Sequence, residues 1–344
     1  METPLSEKKD LTIVAVESSC DETACAVLKD GVVLSSVISS QIEIHKKFGG
    51  VVPEIASRNH VLDIENVVSA ALEKAGITAA DADAFAVTYG AGLLGALLVG
   101  VSYMKGLAFA LDKPLVKVNH IRGHIAANYL ADPSLKPPYI GLIVSGGHTA
   151  IVRVTDYLSF EYLGGTMDDA VGEAFDKVAR VLSLPYPGGP EIERAAKDGE
   201  ATVYIPEPKT GAFDFSFSGI KTSVVNYVHN ATARGETIKK ADVAYSFQTA
   251  VCSMLVKAAV KAAKQFGLKD IAIAGGVGAN GFLRALLTKE CEKNGLKAHF
   301  PTKETCTDNA AMIAMEAYLQ IRYGDGSAFA PDTLDAKASL PLRG

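Results

Sequence analysis

Short apolar runs separated by polar turns occur twice along the chain. Residues 11–16 (LTIVAV) and 24–28 (ACAVL) flank the polar turn ESSCDET, and residues 140–144 (IGLIV) and 150–154 (AIVRV) flank the turn SGGHT. Apolar runs of this length, bounded by turn residues, predict β-strands. A strand–turn–strand unit is therefore repeated about one domain apart, which indicates two similar α/β halves.

Longer segments with apolar residues at helical spacing predict helices between and after these strands. The predicted helices cover residues 54–75, 92–111, 166–182, 242–266, 281–293 and 308–322. The Pro-rich segment DPSLKPPY, residues 132–139, fits a domain boundary between the two halves.

The second predicted helix carries small residues at intervals of four. Gly92, Ala96 and Gly100 would lie on one face and let another helix approach closely. Two interpretations stay open here, packing inside the domain and a protein–protein interface.

Composition places the chain among globular proteins with an ample core, since 48% of its 344 residues are hydrophobic and 21% are charged. The net charge of −5 gives no sign of nucleic-acid binding, which would need a local basic patch or a partner protein. Five cysteines without a C-x-x-C pair argue against a disulfide framework and a zinc knuckle.

Nothing in the sequence predicts secretion or membrane insertion. The N-terminus METPLSEKKD lacks the order of a signal peptide, and the longest apolar stretch, residues 91–104, is too short for a span. We expect a cytoplasmic protein that does not enter a membrane.

Two histidines four residues apart, His120 and His124, are the strongest chemical signal. On a helix they share one face and can chelate one metal ion, although an ordinary pair of histidines is the alternative. A peptidase motif H-E-x-x-H would need a glutamate after His120, and this chain has Ile121 there. The spacing therefore favours a metal site other than that of a peptidase.

Asp308, in CTDNAAMIAMEAYL, is the candidate third ligand. We expect it at the start of the last helix, facing an inter-domain cleft; the alternative is a helix N-cap formed by Asp308 or Thr307. Two imidazoles and one carboxylate leave coordination positions open for a substrate oxygen. This ligand set suits Fe(II) and also Zn(II).

Glycine-rich turns follow two predicted strands. In VSGGHT, Ser145, Gly146 and Gly147 can cradle an anion with backbone amides and a hydroxyl, or can form a simple hairpin turn. In IAIAGGVGANGFLRALL, Gly275, Gly276 and Gly278 allow a ligand to approach the backbone, or only allow tight packing.

The segment at 167–194 holds acids at helical spacing, followed by a Gly/Pro turn. Asp176 and Glu193 could accept hydrogen bonds from ribose hydroxyls and Gly189 could let a nucleotide lie against the backbone, although each acid alone is typical of a solvated surface. The alternating segment FDFSFSGIKTS, residues 213–223, predicts an edge strand.

Ten segments in order along residues 11–325 resemble one family, the bacterial TsaD-type tRNA threonylcarbamoyltransferases. They are VESSCDET, FGGVVPEIASRNH, GALLVG, HIRGH, LIVSGGHT, DDAVGEAFDK, YPGGP, DFSFSGIKT, AGGVGAN and CTDNAAMIA. The resemblance implies an α/β fold of the actin/Hsp70/sugar-kinase (ASKHA) superfamily, with two similar domains flanking a nucleotide cleft. We place the first domain at residues 10–131, completed by a helix at about 308–325, and the second at 137–307.

The resemblance also implies a reaction and its residues. Threonylcarbamoyl would pass from threonylcarbamoyl-adenylate to N6 of adenosine 37 in tRNAs that read codons beginning with A, and AMP would leave. A divalent metal, usually iron, would be bound by His120, His124 and Asp308 and would polarise the threonylcarbamoyl group. The family's adenylate contacts fall on Ile143, Val144, Ser145, Gly146, Gly147, Asp176, Gly189, Glu193 and Asn280. Asp21 and Glu22 are candidate acids for proton removal or substrate orientation.

The family has partners, and so the resemblance implies tRNA, an inactive paralogue of the same fold (TsaB type) and a small ATPase (TsaE type). The helices at 54–75 and 92–111 would be the docking surface. Lys46, Lys47 and Arg58 form the candidate tRNA surface. The chain departs from the family at Gly90-Ala91-Gly92-Leu93, usually G-P-G-L, and at Gly278-Ala279-Asn280, usually S-A-N.

Three other functions compete with this one. A phosphotransferase or ATPase of the same superfamily would not need the histidine pair. A metallopeptidase would need the missing glutamate. A scaffold related to the inactive paralogue should have lost the three candidate ligands, which this chain retains.

Overall fold

The computed structural model describes residues 4–341. The described chain divides into two units. Unit 1 takes the residues up to Lys136, the short segment Asp156–Ser159 and the residues from Pro301 onward, and unit 2 takes Pro137–Thr155 and Phe160–Phe300.

Ten strands form two five-stranded sheets, one in each unit. The strands are β1 (Thr12–Glu17), β2 (Glu22–Lys29), β3 (Val32–Ser40), β4 (Ala84–Gly90), β5 (Leu115–Asn119), β6 (Tyr139–Val144), β7 (Thr149–Asp156), β8 (Ser159–Gly165), β9 (Asp270–Ala274) and β10 (Lys297–His299). The first sheet has the order β3-β2-β1-β4-β5 and the second β8-β7-β6-β9-β10.

The two sheets repeat one topology. The first strand of each unit, β1 or β6, pairs antiparallel with the next strand and parallel with the fourth, β4 or β9. All six residues of β1 and of β6 are buried, as expected for a central strand covered on both faces. The repeated α/β halves predicted from the apolar runs are confirmed.

Eleven helices lie among the described residues. They are α1 (Ile42–His45), α2 (Pro53–Ala75), α3 (Leu94–Ala110), α4 (His120–Ala131), α5 (Val171–Val181), α6 (Gly188–Ala196), α7 (Ser218–Ala233), α8 (Lys240–Phe266), α9 (Gly281–Lys293), α10 (Lys303–Cys306) and α11 (Ala310–Tyr323). Helix α8 is long and apolar enough to cross a membrane, but 72% of its most apolar window is buried inside the protein, as in a core helix.

The predicted edge strand at 213–223 is wrong. Phe215 makes only an isolated bridge with Thr166, and α7 begins at Ser218. The carboxylate of Asp168 accepts hydrogen bonds from the backbone N–H groups of Phe217 (2.8 Å) and Ser218 (3.3 Å). Amides at a helix start have no partner within the helix, so this carboxylate favours helix over strand.

The stripe of small residues, which begins at Gly92 just before α3 and continues into that helix, faces the interior of unit 1. A Cβ at Gly92 would lie 2.5 Å from the carbonyl oxygen of Ser19, and one at Gly100 would lie 2.4 Å from Oγ of Ser18. Ala96 between them is fully buried. The stripe therefore packs against the loop after β1, and its interpretation as a protein–protein interface is wrong.

Candidate functional site

Helix α4 begins at the histidine pair. The side chain of Asn119 caps it by accepting a hydrogen bond from the Ile121 N–H at 2.9 Å, which fixes His120 as the first helical residue. His124 follows one turn later, and the two ring centroids lie 4.6 Å apart. Both side chains are buried in unit 1.

Asp308 joins the pair from the segment just before α11. Its Oδ1 lies 3.2 Å from Nε2 of His124 and 3.5 Å from Nε2 of His120. The helix cap is Asn309, whose side chain accepts from the Met312 N–H at 2.9 Å, so the alternative of a cap formed by Asp308 or Thr307 is wrong. The carboxylate of Asp308 is thereby left to face the histidines.

Close packing of α11 on α4 brings the three side chains together. A Cβ at Gly123, between the histidines, would lie 2.8 Å from Cδ1 of Ile313 on α11. Glycine at this position lets the two helices approach. One nitrogen of each histidine and one oxygen of Asp308 lie within 4.8 Å of one another.

The hydrogen bonding of His124 fits a metal ligand. The ring is fully buried, and neither nitrogen has a hydrogen-bond partner of acceptable angle among residues 4–341, although Nε2 lies close to Asp308. A buried nitrogen without a partner is costly, and a cation bound at Nε2, the nitrogen that faces Asp308, would remove the cost for that atom. Burial also lowers the pKa of His124, which favours the neutral, ligating form.

Glu17 supports His120 and was missed by the sequence analysis. Its Oε2 lies 3.1 Å from Nδ1 of His120 and accepts from Oγ1 of Thr88 at 2.6 Å, while Oε1 accepts from the Ser19 N–H. Burial raises the pKa of Glu17, but the charge and hydrogen bond of His120 outweigh burial and lower it. The available signal was an acid placed directly after the apolar run at 11–16, where it becomes the last residue of the buried strand β1.

The charges around His120 favour its protonated form when no metal is bound. Burial lowers the pKa of His120, but the carboxylates of Asp308 and Glu17 outweigh burial and raise this pKa to about 9. His120 and His124 therefore differ in charge state near neutral pH in the metal-free protein.

Asp21 ends the turn after β1 and Glu22 begins β2, in the same unit. Asp21 is buried and its backbone carbonyl accepts from the Gln41 N–H at 2.9 Å, while Oε1 of Glu22 accepts from Oγ of Ser40 at 3.1 Å. Burial, then the charges of Asp308 and Asp21, raise the pKa of Glu22 to about 10. Without a metal, Glu22 is thus a protonated hydrogen-bond donor at neutral pH.

In unit 2, the glycine turns meet at one edge of the second sheet. Strands β6 and β9 run parallel with Ile143 opposite Ala274, so the turns that follow them leave the sheet at the same edge. Gly275 has φ +100°, and a Cβ there would lie 2.6 Å from the carbonyl oxygen of Val144. Only glycine permits this contact between the turns.

Backbone groups are exposed at this edge. Ile143 and Val144 are buried within β6, whereas Gly146 and Gly147 are exposed and a Cβ on either would touch nothing. Gly172, in the first turn of α5, lies against this turn, since its Cβ would be 2.7 Å from Cα of Gly146. The geometry suits an anion held by backbone amides.

The predicted ribose contacts lie in the helices that surround the same edge. Asp176 Oδ1 accepts from the Gly188 N–H at 2.7 Å, and Gly189 beside it has open space. Glu193 Oε1 accepts from the Gly281 N–H at 3.0 Å. These hydrogen bonds tie α5, α6 and α9 together around the glycine turns.

Asn280 has a structural role at this edge. Its Oδ1 caps α9 by accepting from the Leu283 N–H at 2.9 Å, and its Nδ2 donates to Oε1 of Gln248 at 2.9 Å. The side chain is buried, with 7% of its surface exposed. It therefore holds the start of α9 in place beside the glycine turns.

Comparison with known proteins gives a match over nearly the whole chain. A family model described as TsaD, tRNA N6-adenosine threonylcarbamoyltransferase, matches residues 32–315. A protein of that name from Clostridium perfringens is 54% identical over 335 residues, covering 96% of this chain and 98% of the relative. One from Moorella thermoacetica is 53% identical over 338 residues, covering 97% and 98%.

Solved structures support the fold at low sequence identity. Full-length HypF in a phosphate- and nucleotide-bound form is similar with a TM-score of 0.63 at 16% identity, over 94% of this chain and 48% of HypF. HypF of T. kodakarensis gives 0.65 at 18%, over 92% and 48%. The expected ASKHA-type α/β fold is confirmed.

Proposed function

Because this chain belongs to the tRNA N6-adenosine threonylcarbamoyltransferase family, the TsaD family, we propose that it uses threonylcarbamoyl-adenylate as donor and N6 of adenosine 37 as acceptor. The chain is a tRNA-modifying transferase. The acceptors in this proposal are tRNAs that read codons beginning with A, and AMP is the product that leaves.

We assign a divalent metal to His120, His124 and Asp308, with Fe(II) the first choice and Zn(II) the second. Two imidazoles with one carboxylate are a preferred set for Fe(II). When bound, such an ion would supply Lewis acidity towards the threonylcarbamoyl carbonyl. Glu17 would hold the His120 ring in place through Nδ1 and direct Nε2 towards Asp308.

The adenylate half of the donor is assigned to the edge of unit 2. The backbone amides of Gly146 and Gly147 and the hydroxyl of Ser145 would hold the phosphate, with the α5 N-terminus adding a favourable dipole. The Ser145 N–H itself donates to the His148 carbonyl at 2.9 Å and closes the turn. Asp176 and Glu193 would accept ribose hydroxyls, and the open space at Gly189 would admit the nucleotide. Ile143, Val144 and Asn280 would shape this edge through backbone and cap contacts.

The transfer exchanges one bond for another. The adenine N6 attacks the carbamoyl carbon, the bond from that carbon to the phosphate oxygen breaks, and AMP leaves with the electron pair. N6 loses one proton in the exchange. Asp21 is the acid suited to accept this proton, whereas Glu22, with its raised pKa, suits substrate orientation as a hydrogen-bond donor.

The proposal includes the two protein partners, a TsaB-type paralogue and a TsaE-type ATPase, and a cytoplasmic location. Helices α2 and α3 remain the proposed docking surface. The observation that supports this surface is a set of exposed apolar side chains on the two helices. Their exposed fractions are 63% for Val61, 70% for Leu62, 49% for Leu94 and 39% for Leu98. Exposed apolar groups of this kind are typical of protein interfaces.

The grouping of His120, His124 and Asp308 is the observation that carries the proposal. A phosphotransferase of the same fold would use a metal held through phosphates and would not need a two-histidine site. The three ligands also argue against an inactive scaffold.

A reconstituted transfer reaction tests the proposal. The chain, its two proposed partners, unmodified tRNA and threonylcarbamoyl-adenylate are incubated, and modified adenosine is measured by mass spectrometry. We expect the modified base with the wild type and with Asp332→Ala, an exposed control in the same unit, and none with His120→Ala or Asp308→Ala. ATP hydrolysis without modified adenosine would instead favour the phosphotransferase.

A further inference from the structure

A groove between α8 and α9 of unit 2 is lined by lysines. It has a volume of about 470 Å³ and its lining includes Lys257, Lys261, Lys264 and Lys293. A second groove of about 480 Å³ shares Lys257 and Lys261 and adds Lys209. The five lysines therefore follow one continuous depression along α8, remote in sequence from every residue assigned above.

The spacing on α8 places three of these charges in a row. Lys257, Lys261 and Lys264 are separated by four and three residues, so they share one helix face over about 10 Å. All three side chains are exposed. Successive phosphates of a nucleic-acid backbone are separated by a comparable or smaller distance, so more than one can be contacted at once.

These positive charges are weakly neutralised by acids. No carboxylate among the described residues forms an ion pair with Lys261 or Lys264, and Lys261 lies 5.8 Å from the Phe213 ring centroid. Lys257 pairs with an exposed Glu207 at 3.0 Å, a surface contact of small energy, and Lys293 lies 3.9 Å from a partly buried Glu290, at the limit of an ion pair. A surplus of positive charge remains on a chain whose net charge is −5.

The tRNA surface predicted from the sequence, Lys46, Lys47 and Arg58, carries less unpaired positive charge than this groove. Lys46 is paired with Glu43 at 2.5 Å and Arg58 with Glu54 at 2.7 Å, in both cases along their own helical turns. Only one of its three cations, Lys47, has no ion pair among the described residues, whereas three of the five groove lysines have none. The groove on α8 offers the larger uncompensated charge.

The floor of the groove distinguishes between possible occupants. Val256 and Val260 are 2% and 8% exposed, so the apolar residues beneath the lysines offer little free surface. An amphipathic protein helix would need an exposed apolar strip to bind. A polyanion needs only the charged side chains at the rim.

We propose that this lysine groove binds the phosphate backbone of tRNA. The inference rests on the proposed function, in which tRNA is the substrate. It adds the surface of unit 2 on which the tRNA is bound. Contacts to phosphates carry no sequence information, so the groove would position any tRNA substrate.

The test uses the full-length chain in the reconstituted assembly and the double variant Lys261→Ala/Lys264→Ala. Binding of unmodified tRNA is titrated over a range of salt concentrations, and KM and kcat of transfer are measured. We expect affinity to fall by roughly ten- to thirtyfold near physiological salt and the slope of log affinity against log salt to fall by about 2. KM for tRNA should rise similarly, with kcat unchanged.

The matched control is Lys239→Ala/Lys240→Ala, which removes the same charge at the other end of α8. It should leave the affinity and the salt slope at wild-type values. A groove variant with wild-type affinity and slope, or one equal to this control, would overturn the proposal. So would a variant that fails to assemble with the protein partners but binds tRNA normally.

Failure of the proposed function is a separate outcome. If the wild-type assembly makes no modified adenosine, the proposed reaction is wrong, whereas the salt titration with the groove variant still decides whether tRNA binds here.

Discussion

Oε2 of Glu17 lies 3.1 Å from Nδ1 of His120, although the two residues are 103 positions apart in the chain. A carboxylate in this position makes Nδ1 a donor, so that loss of the second ring proton would leave Nε2, which lies 3.5 Å from Asp308, with its lone pair free for the proposed metal. The buried carboxylate is itself held by Thr88 and by the Ser19 N–H. The orientation of the His120 ring is thus set by the end of β1.

Replacing Glu17 by Gln should weaken metal binding while the fold is kept. An amide has the same shape but no charge, so it orients the ring less firmly and reduces its basicity. We expect the metal affinity to fall by about 10- to 100-fold, measured by calorimetric titration or by competition with a chelator. Glu43→Gln, an exposed change in the same unit, is the control. Wild-type affinity in Glu17→Gln would contradict the role given to Glu17.

Removal of Asp308 should abolish the stabilisation that a divalent ion gives to unit 1. A ligand that binds only the folded state stabilises it by about 2.7 kcal/mol at a hundredfold excess over Kd. Adding Fe(II) under anaerobic conditions, or Zn(II), should therefore raise the Tm of the wild type and of Asp332→Ala but not that of Asp308→Ala. An equal rise in Tm for all three proteins would place the ion elsewhere.

Metal affinity should depend on pH because His120 must lose a proton to bind. Its pKa in the metal-free protein is raised to about 9, so the protonated form predominates at lower pH and competes with the ion. Each unit of pH below about 9 should reduce the apparent affinity by about tenfold for this one proton. Titrations across this range measure the slope.

The variant Glu17→Gln provides the control for that pH dependence. One of the two carboxylates that raise the pKa of His120 is then neutral, so the pH above which affinity stops rising should move down. If this upper limit stays near 9 in the variant, Glu17 does not determine the charge of His120.

Local spacing was sufficient to predict that His120 and His124 lie together, but it predicted neither the approach of Asp308 nor the support from Glu17. His120 and His124 are four residues apart on one helix, so helix geometry alone brings them together. The contact of Glu17 with His120 depends on the parallel pairing of β1 with β4 and of β4 with β5, which leads directly into α4. A periodic pattern of hydrophobic residues predicts the individual strands and helices, but it does not predict this order of strands in the sheet.

At 213–223 a clear local pattern predicted the wrong element. Aromatic and polar residues alternate there with a period of two, which favours a strand. The alternation is real in the structure, since Phe213, Phe215 and Phe217 are all buried. A helix nevertheless starts at Ser218, because a carboxylate 50 residues earlier in the chain accepts hydrogen bonds from its first amides.

Asp168 carries the carboxylate that accepts these hydrogen bonds. Asp168→Ala should destabilise unit 2 by about 1 to 2 kcal/mol, because the N–H groups of Phe217 and Ser218 and the hydroxyl of Ser216 lose their acceptor. Denaturant unfolding of the full chain measures the change, and Asp198→Ala, an exposed carboxylate of the same unit, is the control.

The pH dependence of that stability has a definite sign. Burial raises the pKa of Asp168, but the hydrogen bonds to Ser216, Phe217 and Ser218 outweigh burial and lower it. A carboxyl whose pKa is lower in the folded than in the unfolded state stabilises the fold above its unfolded value of about 3.9, and this contribution is lost as pH falls through the folded value. The difference in unfolding free energy between wild type and Asp168→Ala should therefore be constant near neutral pH and shrink in acid. A difference that grows in acid would show that the carboxylate does not cap α7.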